Sequence, residues 1–85
     1  MDDGTGIIGV VAETVRRARK AAGWSQEEQA FEADLDRTYI SQVERGKRNV
    51  TIVVLARIAR ALKTTPDRLL IPPRKLTKAE AMRVR

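Results

Sequence analysis

Start and stop signals for short helices follow one another so closely in this chain that no long helix fits after residue 24. Ser25 is followed three residues on by Glu28, the Ser-x-x-Glu pattern in which each side chain satisfies the other's backbone N–H. Asp36 is a second good N-cap, Gly46 a stop, and Thr51 a third cap. Thr65-Pro66-Asp67 opens one more helix, with Pro at its first position and an acid near the positive end of its dipole. No strand-like alternation, repeat or low-complexity tract lies between these marks. The fold class that follows is all-α: a compact domain of five short helices.

The helices place themselves around those marks. Ile7 to Ala22 carries Val11, Val15 and Ala18 at helical spacing, with Gly23 as its stop. The helix begun by Ser25 turns Ala30 and Ala33 inward, and Phe31 is expected to give it bulk. After the turn Ala33-Asp34-Leu35, a third helix runs from Arg37 to Arg45, followed by the basic loop Lys47-Arg48-Asn49. The fourth has the stripe Leu55, Ile58, Ala59 and Leu62, and Leu69, Leu70 and Ile71 close the domain. This divides the chain into a flexible N-terminus (1–6), a helical domain (7–71) and a basic tail (72–85). Thr77-x-x-Glu80 repeats the capping pattern in the tail, so a short C-terminal helix is expected there only when docked; otherwise the tail is disordered.

Composition then excludes several function classes. With no cysteine, neither disulfides nor a thiolate metal site supports the fold. With no histidine, the commonest general base and metal ligand is missing. Glu27 and Glu28 are adjacent and diverge around a helix, and no nucleophile–base pair is visible, so an enzyme is not expected: no catalytic residues, no metal, no cofactor. No apolar run reaches the ~18 residues of a membrane span, and the N-terminus is acidic (Asp2, Asp3) where a secretory signal is basic. A soluble cytoplasmic protein without a membrane partner is the expectation.

The net charge of +6 is unevenly spread. Arg37 to Lys63 holds seven basic residues against the lone Glu44, while Glu27, Glu28, Glu32, Asp34 and Asp36 cluster just before it. A surface that faces a polyanion, backed by an acidic one, has this segregation. The third helix agrees. Ile40 and Val43 can point inward together while Thr38, Ser41, Gln42 and Arg45 share the other side. Such a helix packs with one face and enters a groove with the other. Arg37 suits guanine O6 and N7, Gln42 suits adenine N6 and N7, and Thr38 or Ser41 suits a hydroxyl-compatible edge or a thymine methyl. Competing uses stay open: Arg37 as a phosphate clamp or in an ion pair with Asp34, Gln42 as a plain solvent-facing residue, Lys47, Arg48 and Asn49 as an ordinary solvated loop. Tyr39 has three uses, a phosphate hydrogen bond, stacking on a sugar or base, or packing beside Val43.

Taken in order, RRARK before Gly23, SQEE, the turn at Leu35-Asp36, YISQVERGKRN, LARIARAL and TPDRLL resemble the Cro/C1-type, or XRE-type, helix-turn-helix family over about Val10 to Ile71. The resemblance implies a lambda-repressor-like helix-turn-helix domain that regulates transcription by binding double-stranded DNA. It implies DNA-backbone contacts from Gln26 and from the loop Lys47, Arg48 and Asn49, joined here by Tyr39 and Arg45, and base contacts from Arg37, Thr38 and Gln42, joined by Ser41. It also implies a structural ion pair between Arg19 and Glu44. The chain departs from the family where Asp34 and Lys63 replace helix-ending glycines and where Gln29 and Ala18 replace larger apolar residues; Trp24 is expected to fill part of that space.

The segment LDRTYISQVERGKRNVT resembles the controller proteins of restriction-modification systems in particular. That likeness implies a bacterial or phage-encoded homodimer on an inverted-repeat operator, activating or repressing its own promoter. Phage-type repressors and antitoxins use the same domain. Val53, Val54, Leu69, Leu70 and Ile71 are the candidates for the dimer patch. The tail is a further candidate as a DNA-contacting arm, and control through the protein's own concentration is the simplest regulation. Two other classes compete. A protein-interaction module would dock RNA polymerase or a toxin and show no DNA sequence preference. A basic amphipathic segment at RRARK would bind membranes or calmodulin, which the acidic second helix opposes.

Overall fold

The computed structural model describes residues 4–72, and within them five helices and no strand. They are α1 (Ile7–Ala21), α2 (Gln26–Ala33), α3 (Arg37–Glu44), α4 (Ile52–Ala61) and α5 (Pro66–Leu69). The expected tail helix and DNA-contacting arm lie outside the described residues.

The starts follow the sequence marks. The Ser25 hydroxyl accepts from the Glu28 N–H at 3.1 Å while the Glu28 carboxylate accepts from the Ser25 N–H at 2.9 Å, a complete capping box. Asp36 accepts from the Thr38 N–H at 2.7 Å and Thr51 from the Val54 N–H at 3.2 Å. Thr65 does not cap α5; its hydroxyl instead donates to the Asp67 carboxylate and holds that carboxyl below its ordinary pKa.

Four helix ends share one device. At Gly23, Asp34, Gly46 and Lys63 the backbone turns left-handed, with φ of 77°, 57°, 69° and 58°. At each end the next residue's N–H reaches back five positions: Trp24 to Arg19, Leu35 to Ala30, Lys47 to Gln42 and Thr64 to Ala59. This is the Schellman arrangement, which takes up carbonyls that a helix end leaves unpaired. Two of its four left-handed positions are non-glycine residues, each carrying the steric cost that glycine avoids.

The core draws on every helix: Val11 and Val15 of α1, Ala30 and Ala33 of α2, Ile40 and Val43 of α3, Leu55, Ile58 and Ala59 of α4, and Leu69 of α5. Leu62 and Ala18 are half-buried, at the margin of that core. α2 packs on α3 and α4, and α1 on α3 and α5. The Thr14 hydroxyl ties α1 to α5 by donating to the Leu69 carbonyl at 2.6 Å. Arg57 of α4 donates to the Asp34 carbonyl and pairs with its carboxylate at 3.3 Å, holding the α2–α3 turn against α4.

Two expectations need correction. Phe31 does not add bulk to the core; it is 82 % exposed. The buried positions of α2 are Gln29, Ala30 and Ala33, and a 3.6-residue period places Phe31 on the opposite side with Glu27, Glu28 and Glu32. Gln29 is fully buried, although neither of its amide atoms meets a hydrogen-bond partner among the described residues. Trp24 is half-buried. Leu69 is 2 % exposed, so its side chain belongs to the core and not to an outer patch.

Candidate nucleic-acid interface

A polar node inside the body fixes α3. The side chains of Arg19 and Glu44 are 11 % and 3 % exposed and bond through two contacts, Nε to Oε2 at 2.6 Å and Nη2 to Oε1 at 3.0 Å. Arg19 Nη1 also donates to the Trp24 carbonyl at 2.7 Å, and Gln26 Nε2 donates to Glu44 Oε1 at 3.2 Å. One carboxylate of α3 thus gathers α1 and the first residue of α2. The hydrogen bonds from Arg19 to Glu44 raise the guanidinium pKa above its ordinary value against the opposing effect of burial, so it stays charged. Gln26, expected on the DNA backbone, is half-buried and is also a member of this node.

With Ile40 and Val43 buried and Glu44 held, the other side of α3 faces outward. Arg37, Thr38 and Arg45 are exposed, while Ser41 and Gln42 are half-buried in the surface. The Arg37 side chain is 61 % exposed, and its Nε lies 3.7 Å from Glu27 of α2. The ion pair considered for it with Asp34 does not form, because Asp34 is turned toward Arg57. At that distance and exposure the contact with Glu27 is loose and screened by solvent.

The loop after α3 is brought back onto that helix. The Gly46 turn directs the Lys47 N–H to the Gln42 carbonyl at 2.8 Å. Arg48 then donates through Nε to Gln42 Oε1 at 2.7 Å, and its guanidinium lies 4.7 Å from the Tyr39 ring centroid. Lys47, Arg48 and Asn49 are all exposed beside the outward face of α3. Tyr39 is half-buried, with its ring packed on the core. The sequence gives the residue types of this cluster, but not the Arg48–Gln42 bond, which depends on a loop closing over six positions.

No group of three His, Cys, Asp or Glu side chains among the described residues is placed to hold a metal ion. No described helix is long and apolar enough to cross a membrane. The chemistry available at this surface is hydrogen bonding and positive charge.

The helix-turn-helix family HTH_3 matches residues 15–69. A hypothetical transcription factor of Neisseria meningitidis is 38% identical over 78 residues, covering 92% of this chain and 74% of that protein. Control protein C.BamHI of Bacillus amyloliquefaciens is 48% identical over 59 residues, covering 68% of this chain and 73% of its own. Among solved structures, the hypothetical transcription factor NHTF from Neisseria superposes with a TM-score of 0.79 at 35% identity, over 100% of this chain and 92% of that one. The restriction-modification controller protein C.Esp1396I, solved as a tetramer with its natural 35 base-pair operator, gives a TM-score of 0.69 at 35% identity, over 74% and 83% of the two chains. With more than half its length matched and its helices in the same arrangement, the chain belongs to the HTH_3 helix-turn-helix family.

Proposed function

We propose that this protein is a sequence-specific DNA-binding transcriptional regulator, a restriction-modification controller that binds an inverted-repeat operator as a homodimer in the cytoplasm. It acts by binding and not by catalysis. The observation that carries this reading is the division of α3. Its inner side is fixed by Ile40, Val43 and the Arg19–Glu44 pair, while Arg37, Thr38, Ser41 and Gln42 form its outer side next to an exposed basic loop. A rigid helix with a polar outer face fits the major groove, and flanking cations set its register on the phosphates. Arg37, Thr38, Ser41 and Gln42 are the proposed base readers; Gln26, Tyr39, Arg45, Lys47, Arg48 and Asn49 are proposed to position the backbone. Relatives support the controller assignment, since C.BamHI is a control protein and C.Esp1396I is solved on its operator.

For the dimer patch, Val53 and Ile71 are 68 % and 57 % exposed, Leu70 is 38 % exposed and Val54 is half-buried. These four remain candidates now that Leu69 is assigned to the core. The test is selection of bound duplexes from a randomised pool at about physiological salt, followed by sequencing. The expected product is an inverted repeat with half-sites about one helical turn, ~34 Å, apart. Recovery of duplexes with no shared motif would overturn the reading and leave a surface that binds charge alone.

A further inference from the structure

We propose that Arg48 is a positioning residue for base recognition, acting through Gln42 in addition to any contact with phosphate; this deepens the DNA-binding reading and rests on it. A glutamine amide has an acceptor end and a donor end of nearly equal size, and exchanging them changes which base edge it matches. A guanidinium has donors only. The 2.7 Å bond from Arg48 Nε can therefore be made only to Gln42 Oε1, and it selects one of the two amide orientations. In that orientation Nε2 keeps both N–H donors and Oε1 keeps a second lone pair. One donor beside one acceptor is the pattern that matches adenine N7 and N6. The charge-assisted bond also polarises the amide and strengthens its remaining donors.

Two further contacts hold Arg48 in this role. Its guanidinium rests over the Tyr39 ring at 4.7 Å, a cation–π distance, and that ring is seated on the core. The Lys47 N–H is bonded to the Gln42 carbonyl, so the loop is tied by its backbone to the same residue that Arg48 orients. An arginine used only as a phosphate clamp needs neither contact. Tyr39, Arg48 and Gln42 together form a preorganised reading unit.

The experiment compares the full chain with Arg48→Ala, Arg48→Lys, Gln42→Ala and the Arg48→Ala/Gln42→Ala pair. Each is bound to the selected operator and to duplexes substituted one base pair at a time, across a salt series. Arg48→Ala is expected to lower discrimination at one position of each half-site by roughly three- to tenfold, part of what a bidentate contact supplies. Arg48→Lys, which keeps the charge but not the planar fork, is expected to lose discrimination at that same position. In the Gln42→Ala background, Arg48→Ala should change discrimination no further. The proposal is overturned if Arg48→Ala weakens all duplexes equally and lowers the salt slope by about one ion, the signature of a phosphate contact. Full discrimination by Arg48→Lys would also overturn it. A wild-type protein without any sequence preference would instead remove the DNA-reading function itself, and Arg48's role with it.

Discussion

The first turn of α2 and the stretch that follows it treat polar groups in opposite ways. At the first end, Ser25 and Glu28 complete a capping box, and Gln26 joins the buried Arg19–Glu44 pair, so each buried charge there meets several partners. From mid-helix onward the treatment changes: Gln29, the residue after Glu28, is fully buried with an unpartnered amide, and at the far end Asp34 occupies a left-handed position at φ 57°. One eight-residue helix therefore joins a well-satisfied buried pair through Gln26 and, three residues on, buries an amide that meets no partner among the described residues. The satisfied end meets α3 through Gln26 at Glu44 and Glu27 at Arg37. What the contrast teaches is that the fold spends its polar complementarity on orienting α3 and tolerates local cost away from it.

Removing Glu44 is the most direct way to break that contrast. Truncating it strands the Arg19 guanidinium, 11 % exposed and unable to lose its charge, beside the Trp24 carbonyl alone. Glu44→Ala should cost about 3–5 kcal/mol, the usual penalty for half of a buried pair. For a domain of this size each kcal/mol lowers the melting temperature by about 4–8 °C. Arg19 itself adds no pH dependence to the effect. Its folded pKa is raised, so its contribution is intact below the unfolded value and is lost only as pH rises through the folded one, beyond ordinary assay conditions. Thermal melts of both proteins between about pH 6 and 9 check this, and a loss below about 1 kcal/mol would mean the pair behaves like an exposed one.

Beyond the capping box, at Gln29, the expected sign reverses. An amide buried without partners costs about 1–3 kcal/mol in proteins, and leucine fills a similar volume without polar atoms. Gln29→Leu should therefore raise stability by about 1–2 kcal/mol, read by urea unfolding with an unchanged slope. A fall in the urea midpoint would show that the amide is doing something in the interior that apolar packing does not replace. A smaller gain is expected at Asp34, where Asp34→Gly relieves the left-handed backbone and keeps the carbonyl that accepts from Arg57. The lost carboxylate is fully exposed and its pairing weak, so the net gain should be about 0.5–1 kcal/mol. Should Asp34→Gly prove destabilising in the same assay, the Asp34–Arg57 contact would outweigh the strain.

Most of the frame is legible in the sequence. The capping residues Ser25, Asp36 and Thr51, the glycine stops and the apolar stripes gave all five helices, because these are local signals at fixed offsets. The Arg19–Glu44 pair was expected only through family resemblance, since 25 positions separate its members and no local rule joins them. Phe31 has the hydrophobic character of a core residue but the helical phase of the exposed side of α2. The partnerships Arg48–Gln42, Arg37–Glu27 and Arg57–Asp34 were not legible, since each depends on how a loop or a neighbouring helix closes. Residue types on the outer face of α3 were visible in the sequence; which of them are bound to one another was not.

The smallest stability effect is expected at the exposed edge of the satisfied end, and it sharpens the comparison most. Arg37 and Glu27 meet at 3.7 Å with side chains 61 % and 77 % exposed, against 2.6 Å and near-complete burial for Arg19 and Glu44. Both are arginine–glutamate pairs with one member on α3, so they differ in environment and not in chemistry. In solvent the Coulomb gain is screened and is offset by the entropy of ordering two long side chains. A double-mutant cycle with Glu27→Ala, Arg37→Ala and the pair should return a coupling below about 0.5 kcal/mol in thermal unfolding. The same Glu27→Ala change should leave operator binding intact or slightly tighter, because it frees Arg37 from a competing carboxylate. A coupling as large as that of the buried pair would place Arg37 among the groups that hold the fold, and it would then be a poor candidate for a side chain that must leave its partner to meet a base.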